Sequence, residues 1–325
     1  MLHISLPSPS SQDHGLTLNH PILLRQDLSS PLSVTPAMAR LLPLAVLASP
    51  LLPGAMAWGS MGHAAVAYIA TNFVAPETKS YMQQLLGDTS DDYLASVSSW
   101  ADSYRYTTEG AFTSTFHYID ALDDPPASCG VDFDRDCGPT GCIVSALANY
   151  TTRMLTPSLS LEQRQIAAKM VIHFTGDIGQ PLHCENLELG GNGIAVEFAG
   201  ASTNLHAAWD TNIPQSISGG SGLAVAKTWA ANLSTEISAG DFKSAAKCWT
   251  QGLSLADPQD MALQWATESN AFVCTVVLPE GRAGVEGLDI SGAYTTSAQP
   301  TVSMQIAKQG YRLAKWLDAI VAEVA

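Results

Sequence analysis

Beyond residue 58, apolar residues recur at helical spacing over most of the chain. From Gly62 to Asn72, small and apolar side chains repeat every three or four positions, as in a helix that buries one face. Pro76 and Glu77 open a second helix, since proline is harmless in a first turn that needs no amide donor. Leu94 to Asp102 reads as a third, with Val97, Trp100 and Ala101 on its apolar side. Ile143 to Met154 reads as another. The longest pattern starts near Leu161, carries Glu162 in its first turn and runs through His173 to Ile178. Gln180-Pro181 then breaks it. Helical spacing resumes from Leu223, from Phe242 and from Pro258 to Val276, and a closing helix is expected from Val302 to about Val324. Only Gly190-Gly191-Asn192-Gly193, followed by Ile194 to Phe198, has the character of a strand or hairpin. The Gly- and Ser-rich stretch from Gly281 to Pro300 reads as a loop. No repeat and no linker divides residues 58–325. The expected fold is therefore all-α, a mainly helical single domain with one small β-hairpin.

The N-terminal residues follow a different pattern. Residues 1–37 are rich in Ser, Pro and Leu without periodicity and read as a disordered upstream extension. Met38-Ala39-Arg40 then precedes the apolar run Leu41 to Ala48, and Ala55-Met56-Ala57 supplies a small-x-small cleavage site. Residues 38–57 thus read as a secretory signal peptide, with Trp58 as the first residue after cleavage. No apolar run reaches the roughly 18 residues of a membrane-spanning helix.

All six cysteines lie after Ala57, which suits an oxidising compartment. Cys137 and Cys142 can close a small loop, and Cys129 can reach the distant Cys274. Cys184 and Cys248 remain, paired or as free thiols; sequence alone does not choose among the pairings. The sequons at Asn149 and Asn232 are consistent with a secreted glycoprotein.

With 46% hydrophobic residues, the 325-residue chain has enough for a substantial core. A net charge of -15 argues against a basic face that tracks a duplex, because it repels phosphate at long range. Any nucleic acid would have to be held locally, by cations and a few side chains.

The candidate chemistry centres on His173-Phe174-Thr175-Gly176-Asp177-Ile178-Gly179-Gln180-Pro181-Leu182-His183. His173 and Asp177, four apart, project from one helical face, and His183 follows the break. His206-Ala207-Ala208-Trp209-Asp210 repeats the spacing. One such pair arises easily by chance; two pairs with a histidine between them offer the nitrogen and oxygen donors that zinc takes. The five histidines after Trp58 (His63, His117, His173, His183 and His206) all lie near an aspartate or that expected N-terminus.

Trp58-Gly59-x-x-Gly62-His63, Trp100-Ala101-Asp102-x-Tyr104-Arg105, Phe116-His117-Tyr118-Ile119-Asp120, the His173–His183 stretch and Asn204-Leu205-His206-x-x-Trp209-Asp210-Thr211 together resemble the zinc-dependent, single-strand-specific nucleases of fungi and plants. These share a fold with bacterial zinc phospholipase C, and the match runs in order along residues 58–325. The resemblance implies three zinc ions: one on Asp102, His117, His173 and Asp177, a second on His183, His206 and Asp210, and a third on His63, Asp177 and the free α-amine and carbonyl oxygen of Trp58. It implies a metal-held hydroxide that cuts single-stranded DNA and RNA to 5′-phosphate products, with 3′-nucleotidase activity. Arg105 would donate a planar fork to the phosphate. Tyr118 would stack on an unpaired base, Asp120 would bond its edge, and Leu189 would form the other side of the slot. A secreted monomer with no membrane and no obligate protein partner is expected. The alternative reading is a zinc phospholipase C. One departure stands out: Cys184 occupies the position after His183 where the family usually has an acidic residue.

Overall fold

The computed structural model describes residues 58–325; the expected extension and signal peptide over residues 1–57 lie outside the described residues. Helix α1 (Ser60–Phe73) is buried continuously from Met61 to Ala70, because its alanines let neighbours approach from every side. Helix α2 (Pro76–Leu86) starts on its proline and ends at Gly87, whose φ of 72° is the left-handed conformation a helix stop favours. The single helix expected over Leu94–Asp102 is instead two pieces. A 3₁₀ turn spans Ala95–Val97, and α3 spans Trp100–Tyr104. Serine chemistry accounts for the break. The Ser98 hydroxyl donates to the Ala95 carbonyl at 2.9 Å, and the Ser98 carbonyl lies 2.7 Å from His173 Nδ1.

The loop towards Gly141 contains one helical turn, α4 (Phe133–Asp136), capped by the Asp132 carboxylate. Helix α5 (Ile143–Met154) has the expected bounds. Helix α6 (Leu161–Asp177) begins at Ser160, whose side chain caps it, and is buried without interruption from Met170 to Asp177. It is a central helix in its second half, so its apolar positions wrap all round. Strands β1 (Ala195–Phe198) and β2 (Ala201–Asn204) form an antiparallel pair with Val196 opposite Thr203. Asn204 then caps α7 (Leu205–Ala207), which passes through a π turn at Ala208–Asn212 into α8 (Ile213–Ser218).

Helices α9 (Leu223–Ser238), α10 (Lys243–Trp249) and α11 (Pro258–Phe272) follow, the last extended by a π turn over Val273–Val277. The closing helix α12 (Ala293–Val324) starts well before the expected Val302 and contains Pro300. Packing outweighs the lost amide: Thr295, Ala298 and Val302 are buried while Pro300 faces outward.

Helix α1 packs on α9 and α12, and α6 lies against α5 and α12. At Gly310 the α1–α12 contact is close enough that a Cβ would stand 2.5 Å from the Ile69 Cβ. Trp316 joins α12 to α5 by donating to Thr151 at 2.9 Å. Both expected disulfides, Cys129–Cys274 and Cys137–Cys142, are present, whereas Cys184 is a buried free thiol and Cys248 an exposed one. No helix among the described residues is long and apolar enough to cross a membrane.

Candidate metal centre and substrate cleft

Four elements meet at Asp177, the last residue of α6. His63 on α1 places Nε2 3.0 Å from Asp177 Oδ1, while His117, ending a 3₁₀ stretch over Ala111–His117, places Nδ1 3.0 Å from Oδ2. His173, one turn back on α6, lies 3.1 Å from the same Oδ2. Asp102 in the first turn of α3 approaches His173 at 3.5 Å and His117 at 3.8 Å. The rings of His63 and His173 stack with centroids 4.0 Å apart. That stacking depends on Gly176, where a Cβ would lie 2.8 Å from His63 Nδ1.

The second group sits across the helix break. His183, on the 3₁₀ turn Pro181–Cys184, and His206, on α7, face each other with Nε2 atoms 3.1 Å apart. Asp210 lies 3.2 Å from His206 and 3.9 Å from His183. Each ring is oriented from behind. His183 Nδ1 is 2.7 Å from the His117 carbonyl, and His206 Nδ1 is 2.6 Å from the Gly190 carbonyl. With Nδ1 donating outward, both Nε2 lone pairs turn to one point. Only a shared proton or a cation can sit there.

The donors fit divalent metal. Ligands 2.0–2.1 Å from a tetrahedral ion stand about 3.3 Å apart, close to the spacings within both groups. Both Asp102 oxygens, Asp177 Oδ1 and both His63 nitrogens are buried without a hydrogen bond, a costly state for polar atoms that have no cation to meet. Asp177 and Asp102 are burdened by burial, yet the His173 charge holds both below the usual carboxylate range. His173 itself, despite burial, is raised by Asp177 and Asp102. Burial and the neighbouring His206 push His183 down to about 4, which keeps its lone pair available. Asp123 and Glu185 also converge with Cys129, but that sulfur is committed to Cys274.

Above the His183–His206 group opens a cavity of about 340 Å³ whose lining includes Arg105, Tyr118, Asp120 and Leu189. The structure thus brings every expected substrate-contacting residue to the edge of the candidate metal site. Arg105 is 9% exposed, and Leu189 is 75% exposed. Leu189 stands in a left-handed run from Glu188 to Gly191. That run carries the Gly190 carbonyl to His206, and the Arg282 side chain holds it through Glu188. Burial first, then the Asp136 charge, raises the Asp120 carboxyl above its ordinary value. Asn149 on α5 and Asn232 on α9 are both exposed.

Trp58 is fully buried at the start of the described chain; next to it, Gly59 N–H donates to the Asp210 carbonyl at 2.7 Å. Cys184 stands outside the cleft lining. Its thiol points away from the cleft, 3.6 Å from the Ile178 carbonyl, and burial raises it well above the usual thiol range, so it stays protonated. The acidic residue near His183 is Glu185, which lines the cleft, is 2% exposed and is pushed up to about 8 by burial and then by Asp123.

The sequence reading missed Gln180, whose amide donates to Asp210 at 2.7 Å and whose oxygen accepts from Leu182 N–H. Its place directly before Pro181 was the available signal. It also missed Tyr106, Ser114 and Asn192 in the cleft lining; their spacing gives no sign of it.

The family described as S1/P1 nuclease matches residues 58–322. Nuclease S1 of Aspergillus oryzae is 48% identical over 286 residues, covering 88% of this chain and 99% of that protein. Nuclease P1 of Penicillium citrinum is 46% identical over 263 residues, covering 81% and 97%. Endonuclease 4 of Arabidopsis thaliana is 36% identical over 177 residues, covering 51% and 58%. With the match spanning nearly all of the described chain, the candidate metal groups and the cleft included, this chain belongs to the S1/P1 nuclease family.

Proposed function

We propose that the chain is a secreted, zinc-dependent nuclease that hydrolyses phosphodiester bonds of single-stranded DNA and RNA to 5′-phosphate products, with 3′-nucleotidase activity. The observation that carries this reading is the meeting of two buried His–Asp groups beneath a cleft lined by Arg105, Tyr118 and Asp120. Asp102, His117, His173 and Asp177 would hold one zinc; His183, His206 and Asp210 would hold a second. Trp58, His63 and Asp177 would hold the third. Bound there, divalent cations lower the pKa of water and neutralise the phosphate under attack.

The protein's own groups do the rest. Gln180 and the carbonyls of Ser98, His117 and Gly190 hold the ligands in orientation, so little reorganisation is needed on binding. Arg105 donates to the phosphate and fixes the scissile bond over the metal groups. Tyr118 offers a stacking face and Asp120 an edge contact. A paired base cannot reach either, which yields single-strand preference without a basic groove. Removal of residues 1–57 as extension and signal peptide would create the Trp58 α-amine. Protein that retains even one residue before Trp58 should therefore lack full activity.

The test is digestion of single- against double-stranded DNA by protein beginning at Trp58, with chelator and with zinc restored. Zinc-restored cleavage of the single strand, leaving 5′-phosphate ends, is the expected result. Zinc-loaded protein that cuts neither strand would overturn the reading and direct attention to phospholipid substrates.

A further inference from the structure

Glu188, Leu189, Gly190 and Gly191 have φ of 51°, 58°, 62° and 79°, four left-handed residues in succession. Glycine adopts this conformation freely, and at Gly190 space demands glycine, since a Cβ would stand 2.6 Å from the Leu182 carbonyl oxygen. Glu188 and Leu189 carry side chains that disfavour it. Such a conformation persists where the surroundings impose it. The two halves of the run are imposed differently. Gly191 N–H donates to the Leu187 carbonyl at 2.9 Å and the Gly190 carbonyl meets His206, so the glycine half is fixed from within the site. The Glu188 and Leu189 carbonyls accept from Gly193 N–H and the Asn192 amide, bonds that close the loop on itself. The tie from this half to a distant segment is the ion pair between Glu188 and Arg282.

Arg282 stands on a 3₁₀ turn over Arg282–Gly284. Its Nε and Nη2 donate to the two Glu286 oxygens at 2.9 and 2.6 Å, which leaves Nη1 for Glu188. A lone exposed ion pair contributes little, but a planar fork already set by one carboxylate gives up less freedom in taking a second. The segment beneath it is anchored to β1: Gly287 N–H donates to the Ala195 carbonyl and Glu197 N–H to the Leu288 carbonyl, both at 2.8 Å.

We propose that Arg282 is a positioning residue for the base slot, holding through Glu188 the left-handed loop that presents Leu189 there. This rests on the nuclease reading above, which assigns Leu189 to the slot. Without the brace, Glu188 and Leu189 relax towards the right-handed region and the leucine leaves the slot. Gly190, held by its own bonds, stays on His206. The slot loosens while the metal groups remain intact.

The experiment is a double-mutant cycle of zinc-loaded wild type, Arg282→Ala, Leu189→Ala and the double variant. Both kcat and KM are read on a thymidine octanucleotide, equilibrium affinity on thymidine 5′-phosphate and on inorganic phosphate, and zinc by atomic absorption. Arg282→Ala should raise KM and weaken thymidine 5′-phosphate binding about tenfold, the low end of what one apolar group in a pocket is worth. Its kcat, zinc content and phosphate affinity should be unchanged, and the double variant should be no worse than Leu189→Ala. A salt bridge that only stabilises the fold would lower Tm and leave KM and nucleotide affinity alone. That result would overturn the proposal, as would multiplied penalties in the double variant or loss of zinc from Arg282→Ala. Wild type that leaves the octanucleotide uncut defeats the nuclease reading separately. The thymidine 5′-phosphate cycle then still decides the role of Arg282, and wild type that does not bind this nucleotide overturns the proposal.

Discussion

Asp177 stands within 3.1 Å of imidazole nitrogens from His63, His117 and His173. No other carboxylate among the described residues is approached this closely by three histidines. Asp177→Asn keeps the shape and removes the charge that two metal groups would share. The variant should retain its helical circular dichroism but lose at least one equivalent of bound zinc. Because even residues behind the ligands cost about 10–100-fold when removed, its turnover should fall by more than about 100-fold. Full zinc content with near-normal turnover would refute a bridging role. Gly176→Ala probes the same point from the backbone. The new Cβ, 2.8 Å from His63 Nδ1, must push the imidazole aside. Activity should fall by about 10–100-fold with a much smaller change in melting temperature, and zinc titration should show weakened binding of one equivalent. Unchanged zinc binding would mean that His63 is not a ligand.

At the scale of elements, what could be read from sequence followed from what sets each element. Helix α5 and the start of α6 were legible because apolar spacing, and Glu162 in the first turn of α6, agree with the tertiary contacts. The His–Asp pairs were legible because a helix maps four-residue spacing onto one face. The break between Val97 and Trp100 was not, since it depends on Ser98 reaching His173 on a helix distant in sequence. Nor was the early start of α12, where burial of Thr295 and Ala298 overrides Pro300. Tyr118, Asp120 and Leu189 could be placed only by resemblance, because the cleft is formed by loops whose approach no local pattern encodes.

Long-range anchoring also fixes the hairpin. Asp289 accepts from the hydroxyl and N–H of Ser291 and then from the backbone N–H groups of Gly200 and Ala199, and these bonds lower its carboxyl to about 2. A carboxyl with a depressed folded pKa stabilises the fold fully above its ordinary value near 3.8 and loses that contribution as pH falls towards 2. Asp289→Asn should therefore lower the melting temperature by a few degrees at pH 6. The gap to wild type should close as both are acidified through that window. A gap that persists at the acid end would show that the side chain acts by shape alone.

For the whole molecule, the decisive quantity is a net charge of -15 in a chain proposed to bind a polyanion. A protein that grips six to ten phosphates with basic side chains loses about 10³–10⁵ in affinity between about 50 and 200 mM salt. Arg105 is the single lysine or arginine in the lining of this cleft. One neutralised phosphate on a single strand gives a log–log slope of about -0.7. Metal held at the His–Asp groups would add contacts at the reacting phosphate, and the stacking proposed for Tyr118 would not be screened by salt. KM for a single-stranded oligonucleotide, measured with zinc held constant, should therefore rise less than about tenfold across that salt range. Phosphate contacts outside the cleft would steepen the dependence. A slope beyond about -3 would require several such contacts and refute local grip by metal, Arg105 and stacking. A shallow slope would mean that few phosphates are neutralised and that the strand is held within the cleft rather than along an extended basic surface.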